Sequence, residues 1–219
     1  MPNFQRIIDI VSEAFSVLDF SHIISGTATY LIITLYLHLH QIHLEMVNLT
    51  WTIICHVILA YLCGILSWSI GRSLRKVTQN VSQDFEFEMK SLINFDDESE
   101  PDKITLPADL VHFSPTHLYT YMWIELSKVS KERTSFINRF WVIQAMCEGL
   151  ITSCVFAMTF MGLWLLPNTW YLWLALAGSI LILLGFICQL MITARENARY
   201  QIREVVLGYY SYCIPHNRA

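Results

Sequence analysis

Apolar positions along this chain run on far longer than a soluble core helix needs. Four stretches, residues 23–42, 51–71, 141–166 and 170–194, are predominantly apolar over about 20 residues or more, the length that crosses roughly 30 Å of hydrocarbon as a helix. Only one acidic residue, Glu148, falls inside them, and none contains Lys or Arg. The pattern predicts an all-α membrane protein with four transmembrane helices arranged as two hairpins, residues 21–71 and 140–194.

Between and beside the spans the period remains helical. Phe4, Ile7, Ile8, Val11, Ala14, Phe15 and Leu18 form a stripe opposite Gln5, Arg6, Asp9, Ser12, Glu13 and Ser16, which predicts an amphipathic helix in residues 1–20. It either lies on the inner leaflet or packs on the protein's own cytoplasmic helices; its polar face is not basic, so anionic lipid is not its main attraction. In the insert, residues 72–139, Leu74, Val77, Val81, Phe85, Met89 and Leu92 recur every three or four positions. They predict that the second span continues as a helix beyond the membrane. An acidic, breaker-rich loop follows at 94–110, with Asp96, Asp97, Glu98, Glu100 and Asp102 at its tip. Ser114 and Pro115 are a helix start, Ser as N-cap and Pro at the first position. From there Leu118, Met122, Leu126, Val129, Phe136 and Phe140 mark one face leading into the third span. One unbroken helix over residues 116–166 would be about 75 Å long, and the extended second and third spans are expected to form a cytoplasmic helical hairpin, an antiparallel pair joined by the acidic tip.

Composition strengthens this picture. Apolar residues make up 54% and charged residues 15%, with mean hydropathy +0.44, against about 45–50% and 25% in soluble domains. An ordinary soluble enzyme is excluded by that balance. A net charge of −4 without a basic block argues against direct nucleic-acid binding. Of the 14 basic residues, Arg6 lies in the N-terminal tail, nine in residues 72–139 and four from Arg195 onward, with none in the connections around 43–50 and 167–169. The positive-inside rule therefore predicts that both termini and the insert are cytoplasmic. Asp9, Glu13 and Asp19 precede the first span and no small-residue cleavage site follows it, so the span is expected to be retained. The six cysteines sit in spans or on the C-terminal tail, without a CxxC, and read as packing thiols. The Asn48-Leu49-Thr50 sequon lies too close to the membrane to be read as more than chance.

Candidate chemistry centres on the third span. Ala145, Gly149, Ser153 and Ala157 form a ladder of small side chains that lets helices approach closely. Beside it run Gln144, Glu148, Thr152 and Thr159. Glu148 lies nine residues past Arg139, about 13 Å along a helix. A carboxylate at that depth costs about 2.5–3.5 kcal/mol and marks a functional site by default. Two readings stay open: Glu148, Gln144, Thr152 and Thr159 line an ion pathway, or a protonated Glu148 is hydrogen-bonded packing glue. A second ladder, Ala60, Gly64, Ser67 and Gly71, lies on the second span, while the bulky fourth span reads as lipid-facing. His38, His40 and His43 with Glu45 permit an interfacial cluster, an external proton sensor or, through His40 and His43, shared metal coordination; none of these amounts to an assigned metal site. Arg195, Arg199 and Arg203 fall on one face of the C-terminal segment, 195–219. They serve as membrane anchoring and dipole compensation, or they pair with the acidic tip. No protease, hydrolase, P-loop or dinucleotide motif is present, so the chain reads as non-enzymatic and without a cofactor.

Residues 61–72 (YLCGILSWSIGR) and 195–210 (RENARYQIREVVLGYY), with two hairpins flanking a helical insert, resemble the small multi-span membrane subunits of bacterial anti-phage defence systems such as Hailong and Kiwa. The resemblance implies an oligomeric effector of the bacterial inner membrane that perturbs ion gradients when a cytoplasmic partner signals. One subunit has too few spans to enclose a pore, whereas a homo-oligomer, a tetramer for example, would gather several Glu148 carboxylates, and acidic rings favour cations. The leading expectation is a gated cation-permeable channel or membrane-depolarising effector. The alternatives are a non-conducting scaffold or receptor that recruits a cytoplasmic protein through residues 72–139, and a small transporter.

Overall fold

The computed structural model describes residues 17–40, 49–94, 104–105, 107, 110, 112–164 and 170–214. It is built of helices: α1 (Val17–Leu39), α2 (Leu49–Thr78), α3 (Val81–Leu92), α4 (Pro115–Val129), α5 (Lys131–Trp164) and α6 (Trp170–Tyr212). A two-residue parallel ladder, β1 (Ile93–Asn94) with β2 (Ile104–Thr105), pairs Ile93 with Ile104 and Asn94 with Thr105. Among the described residues four helices, α1, α2, α5 and α6, are long and apolar enough to cross a bilayer. The chain is an all-α, multi-pass membrane protein. The amphipathic stripe at 4–15, the acidic tip at 96–102, His43 and Glu45 lie outside the described residues.

The chain divides into two compact units, Met1–Arg75 with Val142–Ala194, and Lys76–Trp141 with Arg195–Ala219. In the first unit, the glycines and small residues bring backbones together. A Cβ on Gly26 would fall inside van der Waals distance of the Ala60 carbonyl oxygen and the Gly64 backbone, and one on Gly64 would strike the His22 carbonyl. One on Gly71 would meet the Glu148 carbonyl, and one on Gly149 the side chain of Ser25. Both ladders expected from the sequence therefore mark real helix contacts, α2 against α1 and α5, and α5 against α1. In lipid, where burial of apolar surface between helices brings no hydrophobic gain, such close van der Waals contact is what holds helices together. Helix α6 meets α5 differently, through an apolar cluster of Cys147, Ile151 and Cys154 with Ile187, Leu190 and Ala194. Its other side is bulky and exposed, Leu181 and Ile182 above all, and a Cβ on Gly178 or Gly185 would meet only open space.

The second unit has its own core: Met89 and Ile93, then Leu118, Met122 and Leu126 of α4, Ile137 of α5, and Ile202, Val205, Val206 and Tyr209 of α6. Ser114 starts α4 as expected, its Oγ accepting from the His117 N–H at 3.4 Å with Pro115 at the first position. The unbroken helix over 116–166 is corrected. Ser130 takes an extended conformation (φ −137°, ψ 97°), donates its N–H to the Leu126 carbonyl to close α4, and accepts the Arg133 N–H at 3.2 Å to open α5. This break re-aims the apolar face, so burial passes from Leu126 to Ile137 while Val129 and Phe136 are exposed. A second break, at Gln79–Asn80, separates α2 from α3 and leaves Val77 exposed while Met89 is fully buried.

Gly26→Val and Gly64→Val should each cost about 3 kcal/mol or more by forcing backbones apart, lowering Tm in detergent by about 6–12 °C for a chain of this size. Gly185→Val, facing open space, should leave Tm unchanged. Equal melting of all three variants would show that α1 and α2 are not in backbone contact.

Candidate functional site

The membrane unit carries a column of buried polar side chains that α1, α2 and α5 supply together. Ser21, Ser25 and Thr29 recur every fourth residue on α1 and are all buried. Thr29 Oγ1 lies 2.8 Å from Ser67 Oγ on α2 and 2.7 Å from Ser153 Oγ on α5, so one hydroxyl ties three helices. Thr152 Oγ1 donates to the Ser67 carbonyl at 2.7 Å, and Ser25 Oγ donates to the Ser21 carbonyl at 2.9 Å. Such bonds matter because hydrocarbon offers no water to replace them, and each is worth about 0.6 kcal/mol in lipid, up to about 2.

Glu148 belongs to the same column. Its carboxylate is 1% exposed and accepts from Arg75 Nε at 2.8 Å, while Arg75 itself is 5% exposed at its side chain. Gln144 Nε2 donates to the same oxygen at 3.1 Å. The counter-charge was hidden in the sequence by where the span was ended. Helix α2 continues past Gly71 to Thr78, which carries Arg75 one turn beyond Gly71, the glycine that lies against the Glu148 backbone. The structure thus brings Glu148, Gln144 and Thr152 together and adds Arg75 and the α1 hydroxyls, which an i, i+4, i+8 search for Ser and Thr would have found. Thr159 stands apart, bonding to the Val155 carbonyl of its own helix at 2.9 Å and exposed. Ala145, Gly149, Ser153, Ala60 and Gly64 are all buried at helix contacts, and Ala157 is half-buried.

The Glu148 carboxyl group is met by a guanidinium and an amide inside the buried seam. Breaking such a pair strands the remaining charge in a low-dielectric interior, whereas replacing both partners by apolar groups does not.

The second unit holds the other charged constellation. Arg195, Arg199 and Arg203 do lie on one face of α6, and their described partners are on α3. Asp84 Oδ1 accepts from Arg195 and, at 3.4 Å, from Arg199; Glu88 Oε1 accepts from Arg203 Nε at 2.6 Å. The hydrogen bond from Arg195, then the charges of Arg195 and Arg199, hold the Asp84 carboxyl below its ordinary range against the opposing effect of burial. On the far side of α6, Glu204 pairs with Arg133, and Gln201 Nε2 donates to the Tyr119 hydroxyl at 2.6 Å, whose acidity burial suppresses. His38 and His40 are exposed at the end of α1, the His40 ring tilted at 58° against Tyr36 with centroids 4.5 Å apart. Among the described residues no three His, Cys, Asp or Glu side chains converge in a metal-binding group, and the six cysteines are free thiols.

Two outcomes follow. Glu148→Gln and Arg75→Met should each destabilise by about 3–5 kcal/mol, and Arg75→Met with Glu148→Met should recover most of that loss; Thr159→Val should change stability by less than about 0.5 kcal/mol. Thermal melts of the four variants in one detergent check this, and an additive double mutant would mean the two charges do not act as a pair. Because the folded value for Asp84 lies below the unfolded one, its stabilisation is complete above about pH 4 and is lost as pH falls through the depressed folded value. The Tm difference between wild type and Asp84→Asn should therefore be constant from pH 7 to 5 and shrink below about pH 4.

No family model matches the chain, and no curated protein or solved structure matches it either.

Proposed function

We propose that this protein is a non-enzymatic membrane receptor or scaffold, whose second unit faces the cytoplasm and recruits a soluble protein. The observation that carries this reading is the separate core of that unit, Met89, Leu118, Met122, Leu126, Ile137, Val205 and Val206, each 1% exposed or less. A segment meant only to join two spans has no need of a packed interior, whereas a docking module does. The distribution of Lys and Arg supports the cytoplasmic placement of this unit and of both termini, and a bacterial inner membrane suits the resemblance of residues 61–72 and 195–210. Phe87, Ile124 and Leu207 are exposed apolar side chains of the unit, available for contact with a partner.

A second reading, the cation-permeable channel or depolarising effector of a homo-oligomer, draws on the polar column of Ser25, Thr29, Ser67, Thr152, Ser153 and Glu148. Polar groups at membrane depth cluster on pathways. In that version Arg75 is the closed-state plug on Glu148, and an anti-phage effector would open when its partner signals.

Two experiments separate these readings. Photo-crosslinking from Phe87 of the full chain in native membranes should yield a defined protein adduct that disappears when residues 95–103 are replaced by a neutral linker. Purified protein in liposomes should pass no ions, with or without Thr152→Val. A cation flux altered by Thr152→Val, without any adduct, would put conduction first.

A further inference from the structure

Arg195 is the first charged residue after the uncharged run 170–194 of α6, so its guanidinium stands where hydrocarbon gives way to headgroups. Arg199 and Arg203 follow one and two turns on. These three cations face two carboxylates, Asp84 and Glu88. Among the described residues the stripe is left one positive charge in excess, and it is open: the side chains of Arg195, Arg199 and Arg203 are 45%, 39% and 52% exposed. Its described acceptors are also few. Asp84 offers the same oxygen, Oδ1, to both Arg195 and Arg199, and Arg199 Nε lies 4.0 Å from Glu88, buried and without a hydrogen bond. Each guanidinium has five N–H donors in a fixed fork that fits a phosphate with two parallel bonds.

Helix α3, which supplies the two acids, is a discrete element. It is bounded by the break at Gln79–Asn80 and by the ladder at Ile93–Asn94, and its N-cap residue makes no side-chain cap. Among the described residues it packs on the unit through Met89 and the partly buried Phe85 and Leu92, and its ion pairs with α6 run to these arginines.

We propose that Arg195, Arg199 and Arg203 bind the headgroup phosphate of an anionic phospholipid, and that the lipid displaces Asp84 and loosens α3. A phosphodiester carries a full negative charge and two free oxygens, so it replaces the shared Asp84 oxygen with a separate acceptor for each of Arg195 and Arg199. Attraction of a basic segment to an anionic leaflet favours the same exchange. Exposed Phe87 lies on the released helix, so lipid binding would alter the face offered to a soluble partner. The proposal goes beyond the docking reading and shares with it only the placement of residues 195–203 beside the bilayer.

Hydrogen exchange of the full chain in nanodiscs tests it, with three samples: phosphatidylcholine alone, phosphatidylcholine with about one third phosphatidylglycerol, and phosphatidylcholine with millimolar inorganic phosphate. Exchange across residues 81–92 should rise about tenfold in the anionic discs and stay slow in the other two. In Asp84→Asn it should be fast in every sample, and in Arg195→Gln with Arg199→Gln it should no longer respond to lipid. Equal exchange of the wild type in neutral and anionic discs overturns the proposal, whatever the variants do. Acceleration by inorganic phosphate alone overturns the lipid as its source, and a lipid response that survives loss of Arg195 and Arg199 overturns the site. Nanodiscs present both leaflets and contain no protein partner, so failure here leaves partner recruitment untouched, and a failed crosslink leaves this result untouched.

Discussion

A charge inside a membrane protein must be met by another charge, and the pairing of Arg75 with Glu148 is the constraint around which the membrane unit is arranged. Removing a carboxylate from water to a medium of low dielectric is prohibitive for the isolated ion. The cost is offset only because a guanidinium arrives at 2.8 Å from a different helix and an amide adds a second hydrogen bond. That meeting requires the backbones of α2 and α5 to be close, and Gly71 permits it, since any side chain there would strike the Glu148 carbonyl. The glycine and the ion pair are thus two aspects of one contact. The hydroxyls of Thr29, Ser67, Thr152 and Ser153 extend the same close-packed seam, each satisfying the next where no water is at hand.

The second unit solves a different problem with the same kinds of residue. It is built on an apolar core, and the arginine side of its ion pairs with α3 is open to solvent, where screening weakens them, although Glu88 is buried. Three arginines on two acids therefore make a contact that is specific in geometry yet weakly held. A buried pair such as Arg75–Glu148 locks, whereas a half-exposed one such as Arg195–Asp84 can be exchanged for another anion. That contrast is why the proposed lipid response is assigned to the second and not to the first.

Much of this was legible along the chain. Long uncharged runs have one physical meaning, and all four became helices. The ladders Ala60, Gly64, Ser67, Gly71 and Ala145, Gly149, Ser153 were readable because small residues at four-residue spacing are costly to keep without a neighbour to approach. Glu148 was visible because a lone acid stands out in an apolar run. Arg75 was not, since hydropathy ends the span at Gly71 and the continuing helix, which runs to Thr78, was read as lying beyond the membrane, away from Glu148. The breaks at Gln79–Asn80 and Ser130 were equally hidden. Apolar spacing continues across both, and only the packing shows that Val77, Val129 and Phe136 do not share the faces that bury Met89, Leu118 and Ile137.

The sequence by itself determined the solvent of each part, because the transfer of apolar and charged side chains between water and hydrocarbon is a property of composition summed over a window. It also determined which helix faces are narrow. Partner choice was decided only in three dimensions: that Arg75 neutralises Glu148, that Thr29 joins Ser67 and Ser153, and that Asp84 and Glu88, rather than any residue nearer in sequence, take up the Arg195 stripe. Electrostatic and hydrogen-bond partners in these contacts lie 38 to 124 residues apart, and no local pattern encodes which of many possible acids or hydroxyls a helix will meet once its neighbours have been packed.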